Sequence, residues 1–113
     1  MTKITIEPAF GTWCVRAGGA VIGESGDALE LTEEGHAPVI YFPRDDIATA
    51  FLDPSAHNTD CPSKGLASYY SIVTKSRTIE NAAWSYEAPL AEVSQIKGHL
   101  AFHTGDLVTV ERV

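Results

Sequence analysis

A chain of 113 residues with eight Lys or Arg against fifteen Asp or Glu carries a formal net charge of −7, which disfavours nucleic acid and anionic lipid as partners because neither offers a counter-charge. Hydrophobic residues at 44% suffice for the core of one domain over residues 1–113, and no apolar run is long enough to span a membrane. The two cysteines, Cys14 and Cys61, are too few for a disulfide framework or a four-cysteine zinc site, so both are expected to be reduced and the protein cytoplasmic.

Residues 1–7 alternate like a strand rather than a signal peptide, with 3–7 as the first strand and 12–17 as the second. Gly18-Gly19 predicts a two-residue hairpin turn into a strand over 20–24. After the turn Ser25-Gly26-Asp27 the alternation resumes over 28–32, followed by the polar loop Glu33-Glu34-Gly35-His36 and a strand over 38–42 that Pro43 stops. Ile47, Ala50, Phe51 and Leu52 recur at helical spacing between Asp45, Asp46 and Asp53, which predicts a short helix capped by an aspartate and ended by Pro54. Cys61-Pro62 and Lys64-Gly65 form a tight turn, since Pro fixes φ and Gly permits unusual conformations. The longest hairpin follows, with strands 66–74 and 77–86 joined through Lys75-Ser76. Pro89 opens a second short helix over 89–97, with Leu90, Val93 and Ile96 on one face and Gly98 as its stop. Strands over 99–103 and 107–113 close the chain around Thr104-Gly105-Asp106. The pattern is that of a mainly β domain with curled antiparallel sheets and two short helices.

Four blocks carry a family resemblance: Tyr41-Phe42-Pro43-Arg44-Asp45-Asp46, Cys61-Pro62-Ser63-Lys64-Gly65 with Ala67-Ser68-Tyr69-Tyr70, Glu80-Asn81-Ala82-Ala83-Trp84-Ser85-Tyr86, and Gly98-His99-Leu100-Ala101-Phe102. Together they resemble a bacterial family of small domains of unknown function, sometimes labelled nucleotidyltransferase-like. The resemblance covers nearly the whole chain. It implies a β-tent-like fold, two antiparallel sheets meeting at an angle, shared with zinc-binding domains that hold small ligands in aromatic pockets. It implies no mechanism, and nucleotidyl transfer fits poorly: such chemistry needs paired acidic residues for metal and a phosphate cradle. Asp45 and Asp46 are adjacent, so their carboxylates diverge, and no glycine-rich cradle is present.

The candidate site residues concentrate in these blocks. Cys61 reads as a thiolate stabilised by Lys64 and turn amides, a candidate nucleophile, or as a small apolar residue filling a corner beside Pro62. Lys64 and Arg44 are candidate clamps for an anionic group, or surface charges paired with Asp45, Asp46 or Asp60. Tyr41, Tyr69, Tyr70, Trp84 and Tyr86 supply aromatic surface for a binding cleft or for a core. Tyr69 and Tyr70 point to opposite faces, while Trp84 and Tyr86 share one. His99 and His103, like His57 and Cys61, are four apart, which on a strand separates Cα atoms by roughly 13 Å, too far for one ion. No metal and no cofactor is expected, and His36 and His57 read as loop histidines.

Three functions compete. The favoured one is a small-molecule-binding domain taking a planar or anionic ligand between Tyr41, Tyr69 and Trp84, with Arg44, Lys64 and Asp46 as polar contacts and Cys61 at the lip. The second is an enzyme with Cys61 as nucleophile, Lys64 beside it and Asp46 or His57 as proton carrier. The third is a structural or oligomerising module whose exposed strands pair with another copy or with a partner.

Overall fold

The computed structural model describes residues 3–113, so the strand-like alternation of Met1 and Thr2 lies outside the described residues. Mainly β architecture is what the chain adopts, with its strands in three open antiparallel sheets rather than two. Strands β1 (Ile4–Pro8), β4 (Leu29–Glu33) and β5 (Val39–Tyr41) form the first sheet, in the order β1-β4-β5. Strands β2 (Trp13–Ala17), β3 (Ala20–Ser25) and β10 (Val108–Arg112) form the second, in the order β10-β2-β3. The largest contains β6 (Leu52–Cys61), β7 (Gly65–Val73), β8 (Thr78–Tyr86) and β9 (Ala101–Phe102) in sequence order.

Residues from both faces of the large sheet enter a core, one on each side, which explains the three layers. Register pairs Tyr70 with Ala83 and Ala83 with Phe102 on one face, and Tyr69 with Trp84, Ala67 with Tyr86 and Trp84 with Ala101 on the other. The first face packs Ile72, Ala83 and Phe102 against Val15, Ala17, Ile22 and Val108 of the second sheet. The other places Ala67, Tyr86 and Ala101 with Leu31 and Tyr41 of the first sheet, and with Val93 and Ile96. Phe42, fully buried, ties the layers through reciprocal backbone hydrogen bonds with Leu100.

Several local expectations are corrected. The segment 45–53 is not a capped helix but two 3-10 turns, Arg44–Asp46 and Thr49–Phe51, without side-chain caps. Between them Ile47 is extended and bridges to Gly23, because its apolar side chain belongs to the core beneath the second sheet. Pro54 does not end an element: it lies within β6, the edge strand of its sheet, where a missing N–H leaves no ladder bond unmade. The register slips between Pro54 and Asn58.

The helix over 89–97 is a 3-10 segment, Ala91–Ile96, interrupted at Val93. Val93 and Ile96 are buried as their three-residue spacing suits, whereas Leu90 is 40% exposed. The last two strands do not pair with each other; β9 joins β8 and β10 joins β2, so the chain changes sheets at Thr104-Gly105-Asp106. The Gly18-Gly19 turn forms as the sequence requires, with both φ angles positive at 55° and 84°.

Candidate functional site

A cleft of about 590 Å3 opens between the first sheet and the facing side of the large sheet. β4 and β5 contribute Leu31, Glu33, Val39 and Tyr41 to one wall; β7 and β8 contribute Tyr69, Trp84 and Tyr86 to the other. Alternation along each strand determines which side chains enter: Tyr69, Trp84 and Tyr86 face the cleft, and Tyr70 and Ser85 face away. The half-buried Trp84 ring meets Tyr41 edge-on at 6.5 Å and 89°, and lies 6.4 Å from Tyr69 and 4.5 Å from the His103 ring. Its indole Nε1 donates to the Tyr41 hydroxyl at 3.4 Å.

The polar end of the cleft is the β6–β7 turn. Lys64 N donates to the Cys61 carbonyl at 3.1 Å, and Gly65 takes φ 116° where its Cα pairs with Cys61 across the ladder. This tight loop turns Lys64 inward, leaving it only 9% exposed. Its ammonium donates to Glu33 Oε1 at 2.7 Å and lies 3.6 Å from Cys61 Sγ. Ser63 Oγ donates to Glu33 Oε2 at 3.3 Å and stands 3.3 Å from the same sulfur. Partial burial pushes the Cys61 thiol up, but hydrogen bonds from the Ser63 side chain and backbone and the Lys64 charge more than offset it, so the thiol lies below its ordinary value. Burial pushes the Tyr41 hydroxyl up to about 12, raises Tyr86 further, and lowers His103.

Of the residues singled out in the sequence, Tyr41, Cys61, Lys64, Tyr69 and Trp84 line this one cleft. Arg44 and Asp46 do not. The Arg44 guanidinium grips Glu87 at 3.1 Å, Ser85 Oγ at 3.3 Å and the Gly98 carbonyl at 3.1 Å, and lies 5.6 Å from the Tyr70 ring centroid. Those partners belong to the other side of β8, because Ser85 and Tyr70 point oppositely to Trp84 and Tyr69. Asp46 accepts a hydrogen bond from Ser25 Oγ at 2.6 Å. Lys64 pairs with Glu33 rather than with Asp45, Asp46 or Asp60. His57 packs edge-on against Tyr69 at 4.6 Å, and His99 Nδ1 lies 3.1 Å from the Lys97 carbonyl. Neither Asp46 nor His57 is hydrogen-bonded to Cys61, so a proton-carrier role for either has no geometry behind it. Among the described residues, no three His, Cys, Asp or Glu side chains are grouped to hold a metal ion.

Glu33 joins the site without a role assigned to it from sequence, and Tyr86, a candidate for cleft or core, joins it as a cleft residue. Glu33 reads as loop in the sequence, yet it continues the parity of Leu29 and Leu31 along β4 and therefore points the same way as Leu31, into the cleft. Tyr86 shares the Trp84 face by the same alternation.

The family model for the domain of unknown function DUF427 matches residues 5–113. The chain belongs to that family. No curated protein matches it. The short label of the DUF427 family names nucleotide transfer, but in this member Asp46 is engaged by Ser25, and the one buried lysine of the cleft is already paired with Glu33.

Proposed function

We propose that this DUF427 domain binds a small planar ligand in the cleft, its ring against Trp84 and Tyr69 and its polar group toward Tyr41, Tyr86 and the Cys61–Lys64 turn. The observation that carries this reading is the half-buried Trp84 ring, flanked by Tyr41, Tyr69 and His103 and lining the cleft instead of being covered by core. Aromatic walls with a few convergent polar groups are what small-molecule sites are made of. The Lys64–Glu33 pair at 2.7 Å offsets its own charge, so it favours a neutral polar ligand over the anion that Lys64 and Arg44 suggest in sequence. A cleft lined from two antiparallel sheets also suits the tent-like arrangement implied by the family resemblance.

The test uses a Trp13→Phe background, in which Trp84 supplies the sole indole. Benzamide, planar and neutral with a carbonyl acceptor, is titrated while the 15N indole resonance is followed. A saturable shift of the Trp84 signal, larger than that produced by benzoate at equal concentration, is expected. A signal that neither probe moves at millimolar concentration overturns the reading.

A further inference from the structure

Tyr86 presents an unused donor. The residue is 6% exposed and lines the cleft, and its hydroxyl, which makes no hydrogen bond to another described residue, is open to the cleft rather than buried. A hydroxyl open to a cleft is hydrated there and free to donate to a polar group that displaces the water. Nearby, the Tyr41 hydroxyl accepts from Trp84 Nε1, which leaves its own proton to be donated. Both phenols are protonated at neutral pH, as any tyrosine ordinarily is, so they act as donors to an uncharged acceptor such as a carbonyl oxygen. Cys61 Sγ lines the same cleft, with Lys64 Nζ at 3.6 Å and Ser63 Oγ at 3.3 Å. A sulfur nucleophile opposite hydrogen-bond donors is what addition to a carbonyl requires. The aromatic walls favour a carbonyl attached to a planar ring. The polar contacts of Cys61 are a hydroxyl and an ammonium, and a carbonyl without a leaving group can only add and release.

We propose that Cys61 adds reversibly to an aromatic aldehyde held in the cleft, with the Tyr86 hydroxyl donating to the aldehyde oxygen. The proposal rests on the binding reading above. In the step, the sulfur–carbon bond forms and the π pair of the carbonyl moves to oxygen. The oxygen takes up the proton that the thiol releases. Thiol and aldehyde thus give a hemithioacetal, with no oxidant, reductant or leaving group, and the reverse step returns both.

Benzaldehyde labelled with 13C at the carbonyl carbon tests this. With the wild-type protein a new resonance of a tetrahedral carbon bearing sulfur and oxygen is expected, absent with Cys61→Ser. Tyr86→Phe, which removes only the hydroxyl, should lower the adduct fraction by about three- to tenfold, the range for one lost hydrogen bond. If benzaldehyde and benzamide both shift the Trp84 indole but the labelled carbon stays trigonal, the proposal is overturned while the binding reading stands. An adduct that persists in Cys61→Ser, or is unchanged in Tyr86→Phe, overturns the assignment of those residues. If neither probe moves Trp84 and no adduct forms, both the proposal and the binding reading fail.

Discussion

At the scale of single residues, the cleft separates two cysteines of opposite character. Cys14 is 1% exposed within β2, whereas Cys61 is partly exposed beside a buried ammonium. Iodoacetamide should therefore alkylate Cys61 much faster than Cys14 at neutral pH, and Lys64→Met should slow Cys61 several-fold by raising its thiol toward the ordinary range. Mass mapping of the modified peptides gives both rates, and equal rates would reduce Cys61 to packing. Tyr41 makes a different prediction. Its hydroxyl lies at about 12 in the folded protein against an ordinary value of 10.0, so folding favours the protonated form. That contribution is fully present below about pH 10 and is lost as pH rises from there through about 12. Stability should fall by about 2–3 kcal/mol over that window, two units at 1.36 kcal/mol each, and Tyr41→Phe should flatten this slope in urea melts. These residues differ in how visible they are in the sequence. Cys61, Lys64, Tyr69 and Trp84 stand out by chemistry alone, but Glu33 is one of fifteen acidic residues, and its inward parity emerges only once β4 is extended to it.

At the scale of elements, alternation locates most strands because each sheet has a buried face. It fails where a residue's local habit is overruled by its position. Pro54 reads as a stop, yet an edge strand accommodates it; Ile47 and Phe51 fit a helical period, yet the flanking prolines and the Gly23 bridge leave room only for 3-10 turns. The β6–β7 turn is the element on which the site depends. Gly65 holds φ at +116°, and a Cβ there would lie 3.3 Å from the Ala88 carbonyl oxygen. Gly65→Ala should destabilise the fold by roughly 1–3 kcal/mol through backbone strain, and should lower Cys61 reactivity because the strain falls on the turn that presents it. Unchanged stability and unchanged alkylation would show that the turn tolerates another geometry.

At the scale of the whole molecule, the large sheet divides labour between its faces. One side, with Tyr70, Ser85 and Glu87, holds Arg44 in a structural grip; the other, with Tyr69, Trp84 and Tyr86, is open to the cleft. Sequence blocks containing both kinds of residue do not reveal this division, since which side of β8 Arg44 reaches depends on how the segment after β5 folds over. Arg44→Met should accordingly lower Tm while leaving benzamide affinity within about twofold, as for distant independent sites. Tyr86→Phe should do the opposite, sparing Tm and weakening benzamide. The central claim is that the cleft between the two sheets is the binding face. It is tested most directly by intermolecular NOEs between bound benzamide and the protein's aromatic rings. NOEs from the benzamide ring protons to Tyr69, Trp84 and Tyr86 are expected. Contacts to Tyr70 or Phe10 in their place, or a saturating complex with none to Trp84, would contradict it.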